Sequence, residues 1–169
     1  MELDSHAYTI VCGSKCIAMH FMGKECDIVP YTDAYNTINA VPIVQAATAY
    51  DNTETGETTI LILNKPILMG ETIDNTLDNT NQLSAYSITV KDNPFLVDPI
   101  FIATEGHNFM LLLSYKGTIL VATTRNPTDK ELQACPHVPV HWCMSGIYII
   151  FASPRDRLQW KRRDLITLA

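Results

Sequence analysis

The chain has 169 residues, of which 47% are hydrophobic and 18% charged, a balance that predicts a globular fold and excludes a disordered chain. Its net charge of −6 argues against a nucleic-acid-binding protein, because such proteins present a basic surface. There is no apolar run of about 18 residues and no basic start followed by an apolar stretch, so we expect neither a membrane span nor a signal peptide.

The five cysteines form an odd set. Without a signal peptide, an odd number of cysteines favours free thiols over a disulfide framework, and we expect a cytoplasmic protein. Cys12, Cys16 and His20 alternate with apolar residues of a predicted core, so packing is favoured over metal binding at these positions.

The first element, residues 1–11, contains an acidic turn. Asp4 follows a short apolar lead-in and is followed by Ser5, His6 and Ala7. The four residues after Ala7 are rich in aromatic and β-branched side chains and predict a strand. A turn that only has to be soluble more often uses Gly, Asn or Pro. Asp4 is therefore either a carboxylate that accepts N–H groups within its own turn or a functional group.

The middle of the chain predicts a series of short strands. Asp51–Gly56 is the clearest hairpin turn, with Gly56 available for positive φ. A second turn is predicted at Met22–Lys24, and Pro42 marks an edge strand or a strand start. The strands that these turns separate are Cys16–Phe21, Cys26–Tyr31, Val41–Tyr50 and Thr58–Leu63.

The chain after residue 95 is also rich in predicted strands. Thr128–Gln133 predicts one or two helical turns, and residues 156–168 predict a short amphipathic helix. Strand-length runs outnumber helical patterns, so the predicted fold class is mainly β. The later strands are Ile100–Thr104, Asn108–Tyr115, Thr118–Thr124 and His141–Phe151.

Four potential zinc ligands, Cys135, His137, His141 and Cys143, lie two or four positions apart. A regular strand would place all four on one face. Two prolines interrupt the segment, however, and four ligands within nine residues make a cramped chelate. We predict packing and surface roles and no metal, with a small metal-binding module as the alternative.

The C-terminal tail, residues 155–163, holds five of the 12 basic residues. Trp160 is interleaved with them, a pattern that permits contact with nucleic acid. A solvated helix face is the preferred interpretation, and the tail could also begin a linker to a further domain. We expect no nucleic-acid partner.

The turn Asp4–Thr9 resembles the Asp-Ser/Thr-Gly-Ala active-site turn of retroviral-type aspartic proteases. It is closer still to the Asp-Ser-His-Ala-Asp-Thr variant in the protease region of some copia-type retrotransposons. Three later segments occur in the family's order, and together the resemblance covers residues 2–95. Residues 54–63 resemble the hairpin before the second half of the domain, Ile67–Gly70 resembles the apolar-apolar-Gly segment behind the catalytic turn, and Asn79–Leu83 resembles the helix that follows.

This resemblance implies an aspartic endopeptidase of a retrotransposon polyprotein, with a peptide or polyprotein substrate and no cofactor. The implied fold is a mainly β, retropepsin-like closed barrel with one short helix over residues 1–95. Residues 96–169 would be a β-rich extension that ends in the basic tail. Asp4 and Ser5 are then the catalytic residues, and His6 and Ala7 bind substrate.

The polar repeats Asp74–Thr76 and Asp78–Thr80 were candidates for a second active-site turn. Neither segment has the Gly of the motif and both lie in polar surroundings, so a turn followed by the N-cap of a short helix is preferred. One acidic turn per chain then remains. The mechanism needs two carboxylates, so the resemblance implies a symmetric homodimer that contributes one Asp4 from each chain.

Several features depart from the family pattern. His6 stands where the general pattern has Gly, which lets the backbone approach the carboxylates, and Tyr8 stands where the variant has Asp. Thr32–Ala40 falls where a flap over the substrate is expected but has no Gly-rich tip. Only three residues precede Asp4, fewer than the dimer-forming strand of related proteases. The alternative is a decayed or repurposed β domain, without catalysis, that binds a peptide or protein.

Overall fold

The computed structural model describes residues 1–3, 9–30, 34–85, 88–93, 95, 99–104 and 109–139. Strand is the dominant structure among these residues, which confirms the mainly β fold class. The predicted strand at His141–Phe151 and the basic tail lie outside the described residues.

Most of the predicted strands and helices occur with changed bounds, two predicted strands merge into β3, and short strands such as β6 were not predicted. Up to residue 85 they are β1 (Glu2–Leu3), β2 (Val11–Gly13), β3 (Ile17–Ile28), β4 (Ile38–Asp51), β5 (Thr58–Gly70), β6 (Leu77–Asp78) and α1 (Thr80–Ala85). After it they are β7 (Thr89–Lys91), β8 (Phe101–Ala103), β9 (Met110–Leu112), β10 (Ser114–Lys116), β11 (Ile119–Val121), β12 (Thr124–Arg125), α2 (Asp129–Ala134) and β13 (His137–Pro139). No helix in the described part of the chain has the length and apolar character needed to cross a membrane.

Ten of the described strands form one sheet. Its order is β10-β11-β1-β6-β2-β5-β4-β12, with β13 added on β5 and β3 on β4. β7, β8 and β9 form a second, antiparallel sheet. The large sheet uses strands from both sides of residue 95, since β11 pairs with β1, β12 with β4 and β13 with β5. The division of the chain at residue 95 and the closure of a barrel remain predictions.

The β4–β5 hairpin is the centre of the core. Its turn forms at Asp51–Gly56 as predicted, where Gly56 has a φ of 73° and its N–H donates to Asn52 O over 2.8 Å. Val44 and Leu61 lie in the main core cluster with no exposed surface. Burying one such side chain contributes about 1.5–3 kcal/mol, so the buried residues of this hairpin contribute strongly to the stability of the sheet.

The predicted turn at Met22–Lys24 is wrong, because β3 is a single 12-residue strand through these positions. Gly23 has a φ of 66°, and the pairing with β4 shifts register between Phe21 and Lys24. The chain therefore absorbs the extra residues as a bulge instead of reversing. A glycine at positive φ serves a turn and a bulge equally well, so the local sequence did not distinguish them.

A network of charged side chains fastens α2 to the end of β4. The Thr128 side chain and Glu131 form a capping box at the start of α2. The Arg125 guanidinium donates two hydrogen bonds to Asp51 and two to Glu131, all between 2.7 and 2.9 Å. These groups are partly exposed, so the network orients α2 more than it stabilises the fold.

Gly13→Ala is expected to destabilise the fold by about 1–3 kcal/mol, because the new methyl group overpacks a tight contact. A Cβ at Gly13 would lie 2.6 Å from Asn75 O and 2.7 Å from Ile73 O, both backbone atoms. Ser14→Ala is the matched control, since it removes one exposed hydrogen bond to Asp74 O and should cost about 1 kcal/mol or less. Denaturant unfolding measures both variants, and equal stability would contradict the predicted clash.

Candidate active site

The predicted catalytic residues Asp4 and Ser5, and the predicted substrate-binding residues His6 and Ala7, lie outside the described residues. The strands on either side of them are described. β1 ends at Leu3, directly before this segment, and β2 begins shortly after it. The candidate site is therefore defined by what holds its two ends.

β6 lies between the strand that enters the predicted turn and the strand that leaves it. It runs parallel to β1, with Leu3 opposite Asp78, and antiparallel to β2, with Val11 opposite Leu77. Neighbouring strands lie about 4.8 Å apart. One short strand thus holds the two ends of the turn at a separation on the order of 10 Å.

The entering strand, β1, is also held on its other side. It pairs antiparallel with β11, and Met1 and Ala122 exchange two backbone hydrogen bonds of 3.0 Å. The Glu2 N–H donates to Thr76 O over 2.7 Å, and the Glu2 carboxylate accepts from Asn75 Nδ2 over 2.7 Å. Both edges of β1 are therefore occupied within one chain.

The two family-like segments that follow the hairpin lie on the exit side. Ile67–Gly70 is the end of β5 and runs parallel to β2, and the Ile67 N–H donates to Ile10 O over 3.0 Å. Whether it packs behind the catalytic turn stays a prediction, because the turn is outside the described residues. The helix predicted at Asn79–Leu83 is confirmed as α1, which starts one residue later and buries Leu83 completely.

Five buried side chains with a polar or thiol group lie on β6, β2 and the residues next to them: Cys12, Cys16, Thr76, Asp78 and Asn79. We call them the β6 polar cluster. Thr76 Oγ1 accepts from the Gly13 N–H over 3.4 Å and lies 2.9 Å from Cys16 Sγ. A hydrogen bond to Cys16, together with burial, raises the pKa of Cys12, so this thiol stays protonated and is a poor nucleophile.

Asp78 is the acid of the second polar segment, which the sequence assigned to a turn and the N-cap of a short helix. It is completely buried, and neither carboxyl oxygen has a hydrogen-bond partner among the described residues. Burial raises the pKa of Asp78 to about 7. The nearby backbone N–H of Asn79, which does not reach hydrogen-bonding geometry, and the amino group of Met1 offset part of this rise.

The predicted flap, Thr32–Ala40, covers part of the connection from β3 to β4 and the first three residues of β4, although Thr32 and Asp33 are outside the described residues. β3 and the first part of β4 form a two-stranded ribbon whose side chains are largely exposed. Large apolar side chains are exposed on the ribbon, Phe21 at 59% and Ile38 at 45%, and in the connection beside it, Val29 at 73% and Tyr35 at 71%.

The possible zinc cluster is only partly described. Cys135 follows the end of α2, and His137 Nε2 lies 3.0 Å from Leu132 O. His141 and Cys143 lie outside the described residues. Within the part of the chain that the structure covers, no three His, Cys, Asp or Glu side chains come together in a way that could hold a metal ion.

No protein-family model, curated protein or solved structure matches the chain. The functional argument therefore rests on the residues and on the strand arrangement around Asp4.

Proposed function

We propose that the chain is an aspartic endopeptidase of a retrotransposon polyprotein, built as a retropepsin-like closed barrel. The observation that carries this proposal is the position of β6 between β1 and β2. A catalytic carboxylate must be held reproducibly on a rigid scaffold, and this arrangement fastens both ends of the segment that contains Asp4. Cleavage of an unfolded polypeptide at mildly acidic pH, compared between the wild-type protein and Asp4→Asn, tests the proposal.

The proposed chemistry uses two carboxylates and no cofactor. Two carboxylates a few ångström apart cannot both ionise cheaply, so the pair shares one proton. The ionised member takes a proton from a water molecule held between them, and that water attacks the substrate carbonyl carbon. The protonated member donates its proton to the carbonyl oxygen, which gives a tetrahedral diol. The C–N bond then breaks as one carboxylate takes a proton from a diol hydroxyl and the other carboxyl donates its proton to the leaving nitrogen. The Ser5 hydroxyl braces the pair by bonding to backbone across the dimer.

The β3–β4 ribbon supports a role in covering an extended substrate. Its apolar side chains would lose exposed surface against a bound peptide, which favours binding. β3 has β4 as its strand partner, and no strand pairs with its other edge in the described residues. An open edge can bind a peptide backbone as an added strand, while alternate side chains select the sequence.

The same ribbon favours the second candidate function, a β domain that binds a peptide or protein without cleaving it. Exposed apolar side chains and an open strand edge are sufficient for binding, and neither requires a carboxylate pair. The two functions differ in one measurement. The alternative holds if wild-type protein binds an extended peptide but leaves it uncut, and if Asp4→Asn binds it equally well.

His6→Gly is expected to raise activity or to move its pH optimum upward by up to about one unit. A protonated imidazole beside the pair favours ionised Asp4, lowers the pKa values of the pair and weakens its acid role. His6→Ala separates two causes, because it removes the imidazole without adding the backbone freedom of glycine. The pH profiles of the three proteins are compared, and identical profiles would place the imidazole away from the carboxylates.

A further inference from the structure

Among the described residues, no group donates a hydrogen bond to the buried carboxyl of Asp78. In a parallel pair, opposed residues point to the same face of the sheet, so Asp78 shares the face of Leu3. Leu3 packs against the main core cluster. An ionised carboxylate in that position costs several kcal/mol unless it is paired or hydrogen-bonded.

The titratable groups around Asp78 do not supply such a partner. The amino group of Met1 acts on it electrostatically but donates its hydrogen bonds to Ala122 O over 3.0 Å and to Thr124 Oγ1 over 3.3 Å. Cys12 on β2 and Cys16 beyond it are the other titratable neighbours among the described residues. A hydrogen bond with Cys16 raises the pKa of Cys12 and lowers that of Cys16, and a negative Asp78 adds a smaller upward contribution at both thiols, so neither holds Asp78 as an ion. The neutral acid is therefore the form that suits this site.

We propose that Asp78 makes the pairing of β6 with β1 and β2 a pH-dependent latch, closed while its carboxyl is neutral and loosened when it ionises. β6 is only two residues long and pairs with two positions on β1 and one on β2. Local opening of so short a strand costs less than unfolding the β4–β5 hairpin. Release of β6 therefore exposes an ionised Asp78 to water at a lower free-energy cost than unfolding of the hairpin.

The direction of the effect follows from linkage. Asp78 has a pKa near 7 in the folded chain and 3.8 as its reference value. A group whose pKa is raised by folding contributes stability that is complete below the unfolded value and is lost as pH rises through the folded value. The latch should therefore weaken from about pH 4 to about pH 7 and change little above that. Because β1 leads into Asp4, acid pH would also favour the catalytic turn, a consequence that rests on the proposed function.

Hydrogen exchange tests the latch without requiring activity, so its failure is distinct from failure of the proposed function. The reporter is the Glu2 amide, which donates to Thr76 O. After correction for intrinsic rates, its protection should fall about tenfold per pH unit from pH 5 and level off near pH 7. Asp78→Asn should remove this dependence. Asp74→Asn, which changes an exposed aspartate before β6, should behave as wild type.

The β4–β5 amides, such as those of Ala47 and Leu61, should stay protected throughout. Equal pH dependence in wild type and Asp78→Asn would overturn the proposal, and so would simultaneous loss of protection in β4 and β5. If Asp78→Asn does not fold, the carbon-13 carboxyl signal of wild-type Asp78 decides. A carboxyl titration whose midpoint lies near pH 7, where Glu2 exchange levels off, supports the latch, and ionisation below pH 5 contradicts it.

Discussion

Replacing Asp4 with asparagine is expected to lower the rate of peptide hydrolysis by roughly 10²- to 10⁴-fold, the usual contribution of a positioned acid or base. Asparagine can neither take a proton from water nor share one with a second carboxylate. The rate of the wild-type protein should peak below neutral pH, because one carboxyl of the pair must remain protonated. Steady-state cleavage of a fluorogenic peptide, measured across acid and neutral pH, gives both quantities.

The controls separate lost chemistry from lost structure. Asp4→Asn is isosteric, so circular dichroism and thermal unfolding should match those of the wild-type protein. Asp74→Asn removes an exposed carboxylate outside the proposed catalytic machinery and should keep full activity. An Asp4→Asn protein that cleaves as fast as wild type would end the aspartic protease proposal.

Strong local signals in the sequence predicted β4, β5 and the hairpin turn between them. The β-branched and apolar runs before and after Asp51–Gly56 became β4 and β5, because such residues pack well on a pleated surface. Thr128–Gln133 was predicted as one or two helical turns, and α2 covers nearly the same residues, started by the capping box at Thr128. Each of these features is decided within about a dozen neighbouring residues, which is the range that sequence patterns cover.

The strand between β1 and β2 could not be predicted in this way. β6 is two residues long, and Leu77 is its one apolar residue in a polar stretch, so no periodicity marks it. Its pairing, and that of β1 with β11, joins residues far apart in the chain. A strand's partner is chosen by packing across the whole sheet, and local propensity carries no information about it.

The candidate site contains both kinds of feature, one that local sequence predicts and one that depends on long-range pairing. The role of Asp4 was predicted from a resemblance carried by the Asp4–Thr9 turn and by three later segments in the family's order. Asp78, in contrast, was predicted to lie in a polar turn that precedes a helix. Asp78 is buried because β1 and β2 pair with β6 on either side. The residues near Asp78 in the sequence carry no signal of this pairing.

The last prediction concerns assembly: active protein should be a symmetric dimer, and a monomer should be inactive. One acidic turn per chain supplies one catalytic carboxylate, so the second must come from a two-fold related copy. In related proteases a strand ahead of the catalytic turn contributes to the dimer sheet. Here β1 has β6 on one edge and β11 on the other, both from its own chain. We therefore expect the dimer to use other surfaces and to be weak.

Sedimentation across a range of concentrations should reveal a monomer–dimer equilibrium. Below the dissociation constant, activity should rise with about the square of protein concentration, because dimers form in proportion to that square. A protein that stays monomeric and still cleaves peptides would contradict the two-chain mechanism. A monomer without activity at any concentration would favour the domain that binds without cleaving.

Subunit mixing gives the sharper test, provided that total protein is well above the dissociation constant. Wild-type protein mixed with an equal amount of Asp4→Asn should lose about half its activity per wild-type subunit, because random pairing leaves about half of those subunits with an intact partner. A nine-fold excess of Asp4→Asn should leave about one tenth. The same excess of Asp74→Asn should leave activity per subunit unchanged. If Asp4→Asn has no effect at any ratio, each chain must provide both catalytic groups itself, and the single carboxylate at Asp4 cannot explain catalysis.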